Sequence, residues 1–171
     1  GPDGRYWVGG AKGIYRFDPL AANPAATVQV VVAGIPGAGL HPLKSFAFDD
    51  QNHLYVNVGS ISNVCQNYTK FADKDPQKNP ANFQGRQFPT CPEVEDPVNG
   101  QGLVRQYTIG PDFSVSPEFT VYAKGLRNTI GLAFDPDHRQ LLAGENGRDA
   151  INKFDPSLSN AELPHERLNV L

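Results

Sequence analysis

The chain has no methionine, one tryptophan and two cysteines in 171 residues. It also lacks any apolar run approaching the roughly 18–20 residues that a membrane-spanning helix needs. Its 15 lysines and arginines are scattered, with no basic run and no arginine-rich stripe. Nucleic-acid binding is excluded on that ground, because phosphate neutralisation needs clustered positive charge. No secretory leader pattern is present. The chain opens on Gly1-Pro2-Asp3-Gly4, which reads as a turn between strands, and no methionine precedes it. The sequence therefore reads as a piece of a longer protein, and the missing leader carries no information on localisation. No nucleophile elbow, zincin helix, phosphate-binding loop or dinucleotide fingerprint occurs. No carboxylate pair is assignable by spacing as a glycosidase dyad.

What is present is globular and turn-rich. Hydrophobic residues make up 39% and charged residues 19%, with a formal net charge of −3, so there is material for a core. The 17 glycines and 15 prolines demand many turns and short elements, which favours β-meanders over helical bundles. No segment shows helical periodicity.

Two short patterns recur. A turn followed by an apolar strand occurs as PDGRYWVGG from Pro2, DDQNHLYVNVG from Asp49 and DPDHRQLLAG from Asp135. A strand ending in or near an aromatic occurs as IYRFDP from Ile14, LVRQYTIGPD from Leu103 and INKFDP from Ile151. Trp7 and Tyr55 are 48 residues apart, Phe17 and Tyr107 are 90, and Tyr107 and Phe154 are 47. A unit of about 45–50 residues with several short strands and Gly/Asp turns is the signature of propeller blades. The segments 44–48 and 130–134 precede the Asp-rich turns and read as innermost strands; 28–33 and 119–123 read as outer strands. The expected fold is all-β: a partial β-propeller of four-stranded antiparallel blades over residues 1–171. A long insertion interrupts the second blade at about 60–102. Three blades do not close a ring, so further blades are expected outside this chain.

The insertion holds both cysteines. Cys65 and Cys91 read either as two free thiols or as a disulfide closing a loop of about 27 residues, worth roughly 3.5 kcal/mol by chain entropy. Their spacing does not suit zinc. The disulfide is the preferred reading and points to an exported protein. The triplet Asn67-Tyr68-Thr69 matches a glycosylation acceptor, a pattern common by chance.

Three places carry candidate chemistry. His41 stands just before an innermost strand, where a loop opens on the axial mouth; it reads as a solvated loop histidine or as a residue reaching a ligand. His53, His138 and His165 read as surface residues. Arg127-Asn128 occupy the same place before the next innermost strand. They suit an anionic or carbonyl-rich ligand, or cap strand ends. Gly144–Asp149 reads as a tight turn, or as a loop turning carbonyls toward a hard cation.

Together, HPLKSFAFDDQNHLYVNVGS, GLRNTIGLAFDPDHRQLLAGENGRD and ELPHERLNVL resemble consecutive motifs of the soluble quinoprotein glucose/sorbosone dehydrogenase family. The resemblance is strongest over 41–59 and 125–149. It implies a six-bladed propeller carrying pyrroloquinoline quinone (PQQ) and Ca²⁺ in its axial mouth. It implies oxidation of a sugar or alcohol, with hydride passing to the quinone. On that resemblance His41 is the general base and Arg127 a catalytic and cofactor-binding residue. Asn128 and Asn146 are further cofactor contacts, and Gly147 and Arg148 give backbone carbonyls to Ca²⁺. The family often has proline where Arg148 stands. Its lysine and arginines that clamp the cofactor come from later blades, so this chain alone is expected to bind PQQ poorly. A periplasmic or secreted location follows from the same resemblance. The competing reading is a non-catalytic propeller that binds a protein or a glycan.

Overall fold

The computed structural model describes residues 1–63, 91–149, 152, 156–159 and 165–171. It is mostly β, with three antiparallel sheets of three, four and three strands. The first sheet holds β1 (Tyr6–Gly10), β2 (Gly13–Phe17) and β3 (Gln29–Val32) in that order. The second holds β4 (Phe46–Phe48), β5 (His53–Val58), β6 (Leu103–Ile109) and β7 (Val115–Lys124). The third holds β8 (Thr129–Asp135), β9 (Gln140–Glu145) and β10 (Arg167–Val170), with β9 central. Among the described residues a four-residue α-helix, α1 (Pro92–Glu95), lies between β5 and β6, and a 3-10 turn (Pro24–Thr27) lies between β2 and β3.

The recurring turn has one device. An aspartate accepts hydrogen bonds from backbone amides two to four residues on, bending the chain into the next strand. Asp3 Oδ1 accepts from the Arg5 amide and from the Trp7 indole. Asp49 Oδ1 accepts from the Gln51 and His53 amides, and Asp135 Oδ1 from those of Asp137 and His138. Asn52 and Arg139 adopt positive φ in the two later turns.

Alternation along the strands then sorts side chains between the sheets. Leu54, Val56 and Val58 of β5 point to the first sheet and meet Trp7, Ile14 and Val32. Tyr55 and the buried Val104 point the other way and meet Leu141, with Leu132 and Phe134 beside it. The middle sheet is thus covered on both faces, which explains why β5 is buried over five of its six residues. Strands β4 and β8 approach each other across the second and third sheets.

Several expectations are corrected. Only the middle sheet has four strands. Residues 1–5 form a turn, with Gly4 at φ +73, and among the described residues no strand pairs with the free edge of β1. In the third sheet the outer neighbour of β9 is β10, not the INKFDP copy, most of which lies outside the described residues. Strand β8 is not packed on both sides: Ile130 is 58% exposed. The segments 46–48 and 130–134 do lie on strands β4 and β8, and the outer segments fall on β3 and β7.

The two described ends of the insertion are tied by Glu93. Its buried carboxylate accepts from the Ile61 amide at 2.7 Å, the Ser62 amide at 3.2 Å and the Ser62 hydroxyl at 2.7 Å. The buried Gln101 adds bonds to the Gly59 and Ala38 carbonyls. The Cys65–Cys91 pairing and the Asn67 triplet involve positions outside the described residues.

Candidate functional site

His41 precedes β4, Arg127 precedes β8 and Gly147 follows β9. A strand that follows an antiparallel turn returns to the end where its partner began, so these three loops share one end of the sheet stack. Hydrogen bonds join them. The Ser60 amide, just past β5, donates to the Arg127 carbonyl at 2.7 Å. His41 Nδ1 lies 2.8 Å from the Ser60 carbonyl and 3.1 Å from its hydroxyl oxygen. Arg127 Nη1 donates to the Gly147 carbonyl at 2.6 Å.

The imidazole of His41 is buried, which overturns the solvated-loop reading. A side chain at Gly59 would meet the His41 carbonyl at 2.6 Å and its Cβ at 2.7 Å, so glycine there lets the ring pack. A carbonyl oxygen only accepts, so Nδ1 carries the hydrogen in the neutral ring and Nε2 keeps its lone pair. No hydrogen bond engages Nε2 among the described residues. Burial lowers the His41 pKa; the Ser60 carbonyl opposes this, and the Arg127 charge adds to the lowering. The shift favours the neutral ring, whose basic nitrogen has no partner among the described residues.

Arg127 is placed differently from expectation. Nε donates to the Asn63 carbonyl and to Asn63 Oδ1, both at 3.0 Å. Nη2 donates to Asn63 Oδ1 at 2.7 Å and to Asp149 Oδ2 at 2.6 Å. Nη1 reaches Gly147 and, at 3.4 Å, the Asn146 carbonyl. Every guanidinium nitrogen is committed to a protein acceptor, and Asp149 balances the charge. Asn63 holds the other side of the clip, its Nδ2 donating to the Asp149 carbonyl and its Oδ1 accepting from the Asp149 amide. The backbone amide of Arg127 donates to Glu145 Oε1.

Asn146 and Asn128 are joined through their main chains, Asn146 N to Asn128 O at 3.0 Å. Their carboxamides have no partner among the described residues. Gly147 N donates to Glu166 Oε2 at 2.8 Å, and Asn169 Nδ2 donates to Glu145 Oε2 at 2.9 Å, so the tail closes on the same loop. The Arg148 guanidinium is half-buried, its pKa lowered by burial and by the Arg127 charge.

The residues described here do not make the expected cation site. A cation at the Gly147 carbonyl would sit beside a guanidinium already bonded to that oxygen. Glu145 and Asp149 are taken up by hydrogen bonds. No cluster of three His, Cys, Asp or Glu suited to a metal exists among the described residues. Among the described residues the side chains at this end without a hydrogen-bond partner are neutral, two carboxamides that donate or accept and a His41 Nε2 that accepts, while a tricarboxylate cofactor calls for unpaired cations.

Sequence reasoning missed Ser60, Asn63, Glu93 and Lys44. Lys44 is buried with Nζ donating to the Pro42 carbonyl at 2.8 Å. Burial, with Arg105 nearby, brings its pKa down to about 8. The spacing of Lys44 three residues after His41 was the one available signal.

No family model matches the chain, and neither does any curated protein or solved structure.

Proposed function

We propose that the three sheets are part of a β-propeller ring and that the chain carries the general-base end of a sugar or alcohol dehydrogenase. The observation that carries this reading is the His41 ring: buried, with its pKa lowered, held at Nδ1 by the Ser60 carbonyl and with no described partner at Nε2. A base for a substrate hydroxyl needs a near-neutral pKa and a fixed, accessible lone pair. Asn128 and Asn146, whose carboxamides have no partner among the described residues, suit the hydroxyls and carbonyl of a sugar. The hydride acceptor rests on the resemblance alone, which implies PQQ with Ca²⁺. No step is assigned to either, because Arg127 and the Gly147 carbonyl hold each other. The electron acceptor and the sugar are left open. Periplasmic or secreted residence is part of the same proposal, supported by the resemblance and by the proposed Cys65–Cys91 bond. Among the described residues no helix is long and apolar enough to cross a membrane.

A second reading is a non-catalytic binding module for a protein or a glycan. The closed Arg127 clip favours it, since an arginine spent on Asn63, Gly147 and Asp149 is acting as a structural tie. Assay of the chain joined to the further blades expected outside it, with PQQ, Ca²⁺, an artificial electron acceptor and a panel of aldoses and alcohols, separates the two. The dehydrogenase reading expects turnover that falls about 10²–10⁴-fold in His41→Ala, with cofactor uptake retained. Turnover unchanged in His41→Ala would remove the base. Absence of turnover with every hydroxyl compound would leave the binding module.

A further inference from the structure

Glu93 is a buried carboxylate that the reaction above does not use, and it stands one peptide unit away from the base. Its Oε2 accepts from the Ile61 amide at 2.7 Å. The carbonyl of that same peptide unit is that of Ser60, and it lies 2.8 Å from His41 Nδ1. A trans peptide points its N–H and its C=O in opposite directions, so Glu93 and His41 stand on opposite sides of one planar group. Among the described residues the imidazole bonds to Ser60 and to no carboxylate directly.

We propose that Glu93 is a positioning residue for His41 and acts through the Ser60–Ile61 peptide, so that carboxylate, peptide and imidazole form one hydrogen-bonded chain. Each link has a physical reason. An amide bonded to a carboxylate makes a charge-assisted hydrogen bond, shorter and stronger than a neutral one. A negative charge at the N–H pushes electron density along the conjugated peptide to its oxygen, and bonds in such a chain strengthen one another. The Ser60 carbonyl is then a stronger acceptor, which holds the hydrogen on Nδ1 and leaves the lone pair on Nε2. When Nε2 takes the proton of a substrate hydroxyl, that O–H bond breaks, an Nε2–H bond forms and Nδ1 keeps its hydrogen. The ring becomes a cation, and the chain sets the Glu93 charge behind it. A carboxylate bonded directly to histidine performs the same two tasks in hydrolytic triads. Here a peptide stands between the two.

The surroundings hold this chain in register. The Leu40 amide, next to His41, donates to the Ile61 carbonyl at 2.9 Å. The Gln101 amide donates to the Glu93 carbonyl at 2.7 Å, and Gln101 Nε2 donates to the Gly59 carbonyl at 2.8 Å. The Ser60 hydroxyl donates to the Ser62 carbonyl at 2.6 Å. Electrostatics point the same way. Burial is the main cause that lowers the His41 pKa, and Arg127 adds to it; the Ser60 carbonyl, Asp149 and Glu93 raise it. Asp149 is exposed and bonded to Arg127. Glu93 is buried and has no ion-pair partner among the described residues, so its charge is little screened. The role given to Glu93 rests on the reading of His41 as the base; the hydrogen-bonded chain does not.

The test is nitrogen NMR of His41 and Ile61 across pH, in the chain joined to the further blades expected outside it. The His41 resonances are identified by their loss in His41→Gln. In wild type the Ile61 amide and the His41 ring should share one titration midpoint. Glu93→Gln keeps the shape and an acceptor oxygen for the two amides and removes the charge. It should leave the hydrogen on Nδ1 and move the His41 pKa further down. Ser62→Ala removes one bond to Glu93 and keeps the charge, so it should leave the His41 pKa in place. An Ile61 amide that does not follow the His41 titration overturns the chain, whether or not the variants fold. A His41 pKa unmoved in Glu93→Gln, or moved as far in Ser62→Ala, overturns the positioning role and leaves Glu93 a tie for the insertion. Where the protein turns over, the acid limb of its pH–rate profile should move down with the NMR midpoint in Glu93→Gln, and a fixed limb counts against the proposal. The midpoints are read without substrate, so failure of the chain and failure of the dehydrogenase reading are distinct results.

Discussion

Replacing Arg127 with alanine should destabilise the protein by about 2–3 kcal/mol. A hydrogen bond to a charged group contributes about 1.5–3 kcal/mol, and bonds from one side chain do not add fully. Two anchors count here: the Asn63 side chain and the Gly147 carbonyl, both engaged by a guanidinium whose side chain is only 13% exposed. The Asp149 pair counts for little, about 0–1 kcal/mol, because that carboxylate is 78% exposed and screened. Asp149→Asn should therefore stay within about 0.5 kcal/mol of wild type. Arg127→Lys keeps the charge and loses the fork, so it should recover about half of the loss. Urea unfolding with a shared slope measures all three. The His41 pKa should rise in Arg127→Ala, since the nearby positive charge is one of the groups that lower it. Arg127→Ala within about 0.5 kcal/mol of wild type, with the His41 titration unmoved, would refute the clip.

Leu54→Ala removes a fully buried side chain from the contact between the first two sheets and should cost about 2–5 kcal/mol by denaturant unfolding. Glu93→Gln keeps the shape but weakens three hydrogen bonds; a loss of about 1–2 kcal/mol and faster amide exchange at Ile61 and Ser62 are expected. Lys44 has its folded pKa lowered from 10.5 to about 8, so the unfolded chain binds the extra proton between those values. Its contribution to stability should rise with pH from about 8 to 10.5, and Lys44→Met should remove that rise; parallel melting-temperature curves for the two proteins would contradict it.

The repeat was legible because it is written in residues with local consequences. An aspartate three to five residues before a strand forms the same turn in each copy, and alternating apolar residues follow it. That was enough to place β1, β5 and β9, and the strands beside them except β10. The third sheet was misread because INKFDP resembles the earlier copies, whereas Arg167–Val170 carries no turn signal ahead of it. Edge-strand pairing is a tertiary choice that a local pattern does not encode. The convergence of His41, Arg127 and Gly147 on one end followed from the order of loops and strands alone. Arg127's partners did not. Asn63 lies at the edge of the insertion, 64 residues away in sequence, and nothing local marks it as a hydrogen-bond partner. The same holds for Ser60, whose carbonyl orients the ring through its main chain, a role open to any residue type.

The most direct measurement is the nitrogen NMR spectrum of His41 across pH. The account predicts a neutral ring protonated at Nδ1, with Nε2 unprotonated, and a pKa below the ordinary 6.5. The sign follows from burial: the folded state resists the second proton, so protein stability from this group falls as pH drops below 6.5. A ring protonated at Nε2 instead, or a pKa at or above 6.5, would contradict a general base held in place by the Ser60 carbonyl.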